Sequence, residues 1–116
     1  MRSTVTNTRL MELRKVVGNE FVDGLLKVFL DDAPVALSTI RGSADSEDLD
    51  ALVFESHRLL SMCRNLGFDG MSTLCQRIED EGRCGRIDIE ALGSLEAQYD
   101  GLRAEIEATA VVGTGV

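Results

Sequence analysis

Three features of this sequence predict an all-α fold, specifically an antiparallel up-down-up-down four-helix bundle with a short N-terminal capping helix. Apolar residues recur at helical 3, 4 spacing along most of the 116 residues. Aromatics are scarce and Trp is absent, so the core falls to Leu, Val, Ile, Ala and Met, side chains of helix packing rather than of strands. The breaks between periodic stretches are short, which makes successive helices run antiparallel.

Leu10, Leu13, Val16 and Val17 sit at helical spacing and stop at Gly18, so the first helix is short and ends in a left-handed glycine cap. Asn19 then caps a long second helix that buries Val22, Leu25, Leu26, Phe29, Ala33, Leu37 and Ile40 and runs to Gly42. Pro34 lies inside it and removes one backbone donor. The pattern resumes in phase beyond, so one helix kinked between Asp31 and Val35 is expected rather than two. Ser46, followed by Glu47 and Asp48, opens the third helix, whose stripe is Leu49, Leu52, Val53, Ser56, Leu60 and Cys63 and whose stop is Gly67. The fourth turns Met71, Leu74, Cys75 and Ile78 inward as far as the Gly82 to Gly85 turn. Asp88 opens the last helix, with Leu92, Leu95, Tyr99, Leu102 and Ile106 at the near-heptad spacing of a bundle seam. The expected division is a flexible N-terminus over 1–8, the bundle over 9–110 and a frayed tail over 111–116.

Composition narrows the function. No apolar run approaches the ~18 residues of a membrane span. Met1 to Leu10 lacks the apolar core of a secretory signal, so a cytoplasmic location is expected. Cys63, Cys75 and Cys84 are an odd set without CxxC spacing, which favours neither disulfides nor zinc, and no metal or cofactor of its own is expected. Cys63 and Cys75 fall on inward stripes as small hydrophobes, and Cys84 is expected to be exposed. A net charge of −8 repels a phosphate backbone, so nucleic acid is a poor partner. No glycine-rich phosphate loop follows a strand, which disfavours a nucleotide-binding enzyme.

The residue that carries chemistry is the single histidine, His57. At 100° per residue from Leu49, the third helix's stripe spans about −60° to +40° and His57 falls near 80°, on its shoulder. There an imidazole rests one edge on the bundle and presents a ring nitrogen outward, although the same placement also suits a boundary histidine with no chemistry. A histidine that accepts a phosphoryl group needs a neutral ring, small neighbours and a nearby cation. Ser61, one turn on, is small and carries a hydroxyl. Arg64, two turns on, leans back toward His57 and is the candidate countercharge. Arg58 points about 100° away and suits steering of an acidic partner, and Met62 suits hydrophobic docking. For each, an ordinary solvated or exposed side chain is the competing account. Asp31 and Asp32, and likewise Glu79, Asp80 and Glu81, read as solvated faces with no matching base.

The stretch HRLLSMCRNLGFDGMSTLCQRIE, His57 to Glu79, resembles the signature of the histidine-containing phosphotransfer (HPt) domains of bacterial multistep phosphorelays and hybrid sensor kinases. Leu59, Gly67, Met71, Leu74, Cys75, Ile78 and Glu79 match its pattern by type and spacing. FLDDAPVAL, Phe29 to Leu37, resembles the family's second helix. The resemblance implies a four-helix bundle in which His57 carries a phosphoryl group between receiver domains, the partner supplying the aspartate and the magnesium. The protein is then a phosphocarrier rather than an autonomous catalyst. It is expected as a monomer without direct membrane contact, possible also as the cytoplasmic part of a membrane-bound hybrid kinase.

Two positions depart from the family. The usual Lys three residues after the histidine is Leu60, and the Gly after it is Ser61. A unit charge ~4 Å away at an effective dielectric of 20 is a term of about 4 kcal/mol before desolvation. Either Arg64 takes over that role or the phosphohistidine is less well held. The alternative function is a phosphorylation-independent docking module that binds receivers or other signalling proteins. A histidine-kinase dimerisation segment also places a histidine on a helix, but it needs two long helices rather than five segments.

Overall fold

The computed structural model describes residues 7–114, with side chains described as far as residue 108. It contains α1 (Thr8–Val17), α2 (Asn19–Asp45), α3 (Leu49–Leu66), α4 (Asp69–Arg83) and α5 (Ile89–Thr114). The expectations for residues 1–6 and 115–116 lie outside the described residues. Helix α2 packs on α3, α3 on α4, α4 on α5 and α5 on α2, while the backbones of the diagonal pairs stand farther apart. Short connections at 46–48, 67–68 and 84–88 make this ring the antiparallel four-helix bundle expected.

Helix α1 closes one end. Asn7 caps it by accepting from the Leu10 N–H at 2.8 Å, and its amide nitrogen donates to the carbonyls of Leu66 and Gly67, both at 3.1 Å. One side chain thus satisfies both a helix start and the end of α3. Gly67 sits at φ 75° in a C-terminal cap in which Phe68 N–H reaches the Cys63 carbonyl at 2.9 Å. A Cβ at Gly67 would also lie 2.6 Å from the Arg9 Cβ, so a glycine is needed twice over. Of the apolar residues expected inward on α1, Leu10 is buried and Leu13 half-buried, but Val16 and Val17 face solvent. With ten residues lying over the bundle end, α1 meets the core through Leu10 and Leu13 and not through its last turn.

Element boundaries differ from expectation where side chains cap in ways the periodicity does not reveal. Gly18, at φ 90° and ψ 161°, occupies the N-cap position of α2, and Asn19 is already helical. Helix α2 runs past Gly42 to Asp45, because the Ser46 hydroxyl donates back to the Gly42 carbonyl instead of opening α3. Asp48 caps α3 by accepting from Ala51 N–H at 3.2 Å. Asp88 caps α5 as expected, accepting from Ala91 N–H at 3.0 Å. Helix α5 continues to Thr114, past the expected boundary at 110.

The core joins all five helices. Phe29 of α2 packs edge-on to Phe68 at 5.1 Å and tilted to Tyr99 of α5 at 6.0 Å. Pro34 is contained within one continuous α2. Its missing N–H leaves the Leu30 carbonyl without a helical donor, and the Tyr99 hydroxyl donates to that carbonyl at 3.4 Å. Cys63 and Cys75 are free and buried and Cys84 is free and exposed, as expected. The neighbouring Cys75 thiol and burial both push the Cys63 thiol up, so Cys63 is no ready thiolate.

Candidate functional site

His57 lies midway along α3, on the shoulder of a stripe formed by Leu52, Ser56, Leu59, Leu60 and Cys63. Its side chain is 59% exposed, yet its Nδ1 stands 3.1 and 3.2 Å from the two carboxylate oxygens of Glu79 on α4. Glu79 is almost fully enclosed, with 4% of its side chain accessible. The expectation of a solvated Glu79 is therefore wrong. Counting 100° per residue around α4 from Met71, the residues Ile78, Met71, Gly82 and Cys75 span about −20° to +40°, and Glu79 falls near 80°, between Cys75 and the buried Ser72. An acid on the shoulder of the apolar arc, where α4 turns toward α3, is the sequence signal that could have found it. The surrounding Glu79, Asp80, Glu81 run disguised it, and Asp80 is indeed exposed.

A buried carboxylate must be paired. Arg83, one turn further along α4, donates from Nε at 3.1 Å and from Nη2 at 2.5 Å to Glu79 Oε2. Burial alone would push the Glu79 carboxyl up, but the hydrogen bonds from Arg83 and His57 outweigh it and hold the group below its ordinary carboxylate range. An ionised carboxylate only accepts, so Nδ1 of His57 carries a ring proton, and in the neutral imidazole the lone pair is on Nε2. Among the described residues no group hydrogen-bonds Nε2. The contact thus selects one tautomer of the neutral imidazole, with Nε2 left on the exposed side chain.

Two small residues permit this packing. A Cβ on Gly82 would stand 2.8 Å from Val53 Cγ2, so its absence lets α4 approach α3 beside His57. Ser56, next to His57, is fully buried, and its hydroxyl has no hydrogen-bond partner. Alongside runs an open groove of about 620 Å³, lined beside His57 by Asp50, Val53 and Phe54 of α3 and by Gly82, Arg83 and Gly85. Phe54 is exposed.

The other expected site residues are arranged differently. The Ser61 hydroxyl donates to the His57 carbonyl at 3.2 Å, a bond within its own helix. Arg64 donates to Gln76 Oε1 of α4 at 2.9 Å and does not line the groove. Arg58 pairs with Glu55 at 3.1 Å. Met62, five residues after His57 and so about 140° around the helix, is half-buried against the core, while Leu49, Val53 and Phe54 are the apolar side chains in the groove. Leu60, where the resembling family carries Lys, is 1% exposed and belongs to the core. Among the described residues no three His, Cys, Asp or Glu side chains gather as a metal would require, and no helix is long and apolar enough to cross a membrane.

The model of one known family, the Hpt domain, matches residues 24–108, a span that includes His57, Glu79 and Arg83 and leaves out α1. No curated protein and no solved structure matches the chain significantly.

Proposed function

This chain belongs to the Hpt domain family, whose role is phosphotransfer in phosphorelays, and on that premise we propose that His57 is its phosphoryl acceptor. It takes the group from a receiver domain's aspartyl phosphate and hands it to another receiver. The observation that carries the reading is the fixed tautomer, in which Nδ1–H is held by buried Glu79 and Nε2 points outward from an exposed ring.

The step balances without a general base. The Nε2 lone pair forms the N–P bond in line as the O–P bond to the receiver's aspartate breaks, and the aspartate carboxylate leaves with the bonding electrons. No proton moves, because Nε2 has none and the Nδ1 proton stays where it is. The ring instead gains positive charge, which the Glu79 carboxylate on Nδ1 stabilises. The reverse step discharges the group onto the next receiver. Magnesium and the acidic cluster that binds it belong to the receiver.

Phe54, Val53 and the open groove give a receiver an apolar patch next to the reacting nitrogen, and Arg58 stands on the same helix to steer an acidic partner. The isolated domain acts as a monomer, with the ring of four helices closed on itself.

Incubation with a phosphorylated receiver tests this. The expected outcome is an acid-labile, base-stable label on the chain that is absent from His57→Gln. Label that survives the substitution would overturn the reading. Receiver binding indifferent to phosphorylation and to His57→Ala would instead support a docking module.

A further inference from the structure

We infer that Arg83, mounted on α4, is the countercharge to the phosphohistidine, in the role that Arg64 was expected to fill. The inference rests on the reading of His57 as acceptor. Leu60 is sealed in the core and offers no charge. Arg64 is turned to Gln76 and Arg58 to Glu55, and neither lines the groove beside the imidazole. Among the described residues Arg83 is the one basic side chain that does.

Its geometry suits the task. The same Glu79 carboxylate that receives Nδ1–H of His57 receives Nε–H and one Nη2–H of Arg83, so one buried anion sets imidazole and guanidinium side by side. A guanidinium has five N–H donors. Two are spent on Oε2, and the three that remain are on a side chain that is 60% exposed. Arg83 therefore binds a phosphoryl oxygen without releasing Glu79. The cation is permanent, because a guanidinium does not deprotonate in a protein, and its flat fork suits phosphoryl oxygens better than a point charge does. Mounting it on α4 also separates the nucleophile from its cation. The phosphoryl group then sits across the α3–α4 seam at Gly82.

The test uses the full chain with phosphoramidate, a small phosphodonor that needs no receiver. Wild type is labelled first, and the rate of labelling and the lifetime of the phosphohistidine are followed by phosphorus NMR. Arg83→Ala is expected to label more slowly and lose the group faster, each on the order of tenfold, the worth of one charge-assisted hydrogen bond. Added guanidinium ion should restore part of the lifetime, which a merely structural role for Arg83 would not allow. Arg83→Gln can still donate to Glu79 but carries no charge. It should resemble Arg83→Ala, and it holds the test if the alanine variant does not fold. Arg77→Ala, which removes a cation remote from the groove, should match wild type. Wild-type rate and lifetime in a folded Arg83→Gln would overturn the inference, as would the loss appearing in Arg64→Ala instead. Failure of wild type to label at His57 would remove the acceptor reading itself, before any variant is compared.

Discussion

Glu79 meets His57 from below, with both carboxylate oxygens within 3.2 Å of Nδ1, and it does so from a different helix, 22 residues later in the chain. The proposed acceptor and the group that fixes its tautomer are thus brought together by the packing of α3 on α4. Glu79→Gln still offers an oxygen to Nδ1–H but no charge to the ring. Glu79→Ala offers neither. Losing a charge-assisted hydrogen bond worth roughly 1.5–3 kcal/mol predicts phosphotransfer slowed about 10- to 100-fold in Glu79→Ala and less in Glu79→Gln. Single-turnover transfer from a phosphorylated receiver measures both. Equal rates in wild type and Glu79→Ala would show that the tautomer is not limiting.

The same contact predicts how stability depends on pH. The folded-state pKa of Glu79 is depressed below its ordinary value of 4.5, so the unfolded chain binds the proton more readily than the folded one. The resulting stabilisation is fully present above pH 4.5 and is lost as pH falls through the lower folded value. Urea melts of wild type and Glu79→Gln at pH 7 and pH 3 should show the stability gap between them narrowing in acid. A gap that stays constant, or widens, would contradict the depressed pKa.

How much of this was legible in the sequence follows from where each interaction lives. The shoulder position of His57 is a property of one helix, and counting 100° per residue from Leu49 finds it. Leu60 likewise declares itself core by its place on that stripe. Glu79 needed a wheel of α4 judged by its buried arc, and Arg83 needed Glu79, since an arginine at the end of a helix reads as an ordinary complement to the helix dipole. The bundle was legible because its apolar periodicity is long and its breaks are short. The caps at Asn7, Asp48 and Ser46 were not, because several oxygen-bearing side chains compete at each end and tertiary contacts choose among them, as the bonds from Asn7 to Leu66 and Gly67 show.

Glycine should not be interchangeable with alanine along these helices. Gly93 is exposed within α5, and a Cβ there meets nothing within 4 Å, so Gly93→Ala should stabilise the fold by about 0.5–1 kcal/mol through helix propensity. Gly82→Ala drives a methyl to 2.8 Å from Val53 Cγ2 and should cost about 1–3 kcal/mol as α3 and α4 separate. The second variant should also transfer phosphoryl groups more slowly, because the separation loosens Glu79 from His57. Denaturant midpoints at neutral pH order the two variants, and a stable, fully active Gly82→Ala would remove the close approach from the account of the site.

Ser56 offers a gain instead. Its hydroxyl is buried and without a partner one residue from His57, a defect of about 1–3 kcal/mol when a polar group loses its hydrogen bonds to water. Ser56→Ala should raise the melting temperature while leaving the stripe of α3 intact. Unchanged or lower stability would mean that an internal water satisfies the hydroxyl, and a high-resolution structure of the wild type would show that water.

The bond from Tyr99 to the Leu30 carbonyl makes a sharper test, because its acceptor is created by another residue. Pro34 withdraws the N–H that would otherwise serve this carbonyl, and the hydroxyl from α5 replaces it at 3.4 Å. Tyr99→Phe should therefore cost about 1 kcal/mol in the wild-type background, the net value of an ordinary hydrogen bond. Pro34→Ala restores a helical donor within α2, so in that background the carbonyl is already satisfied and Tyr99→Phe should cost little. The two changes are then non-additive, with a coupling of about 0.5–1 kcal/mol from a double-mutant cycle in urea. Simple additivity would mean that Tyr99 contributes only through its ring against Phe29, and that the exposed Pro34 leaves the Leu30 carbonyl to water.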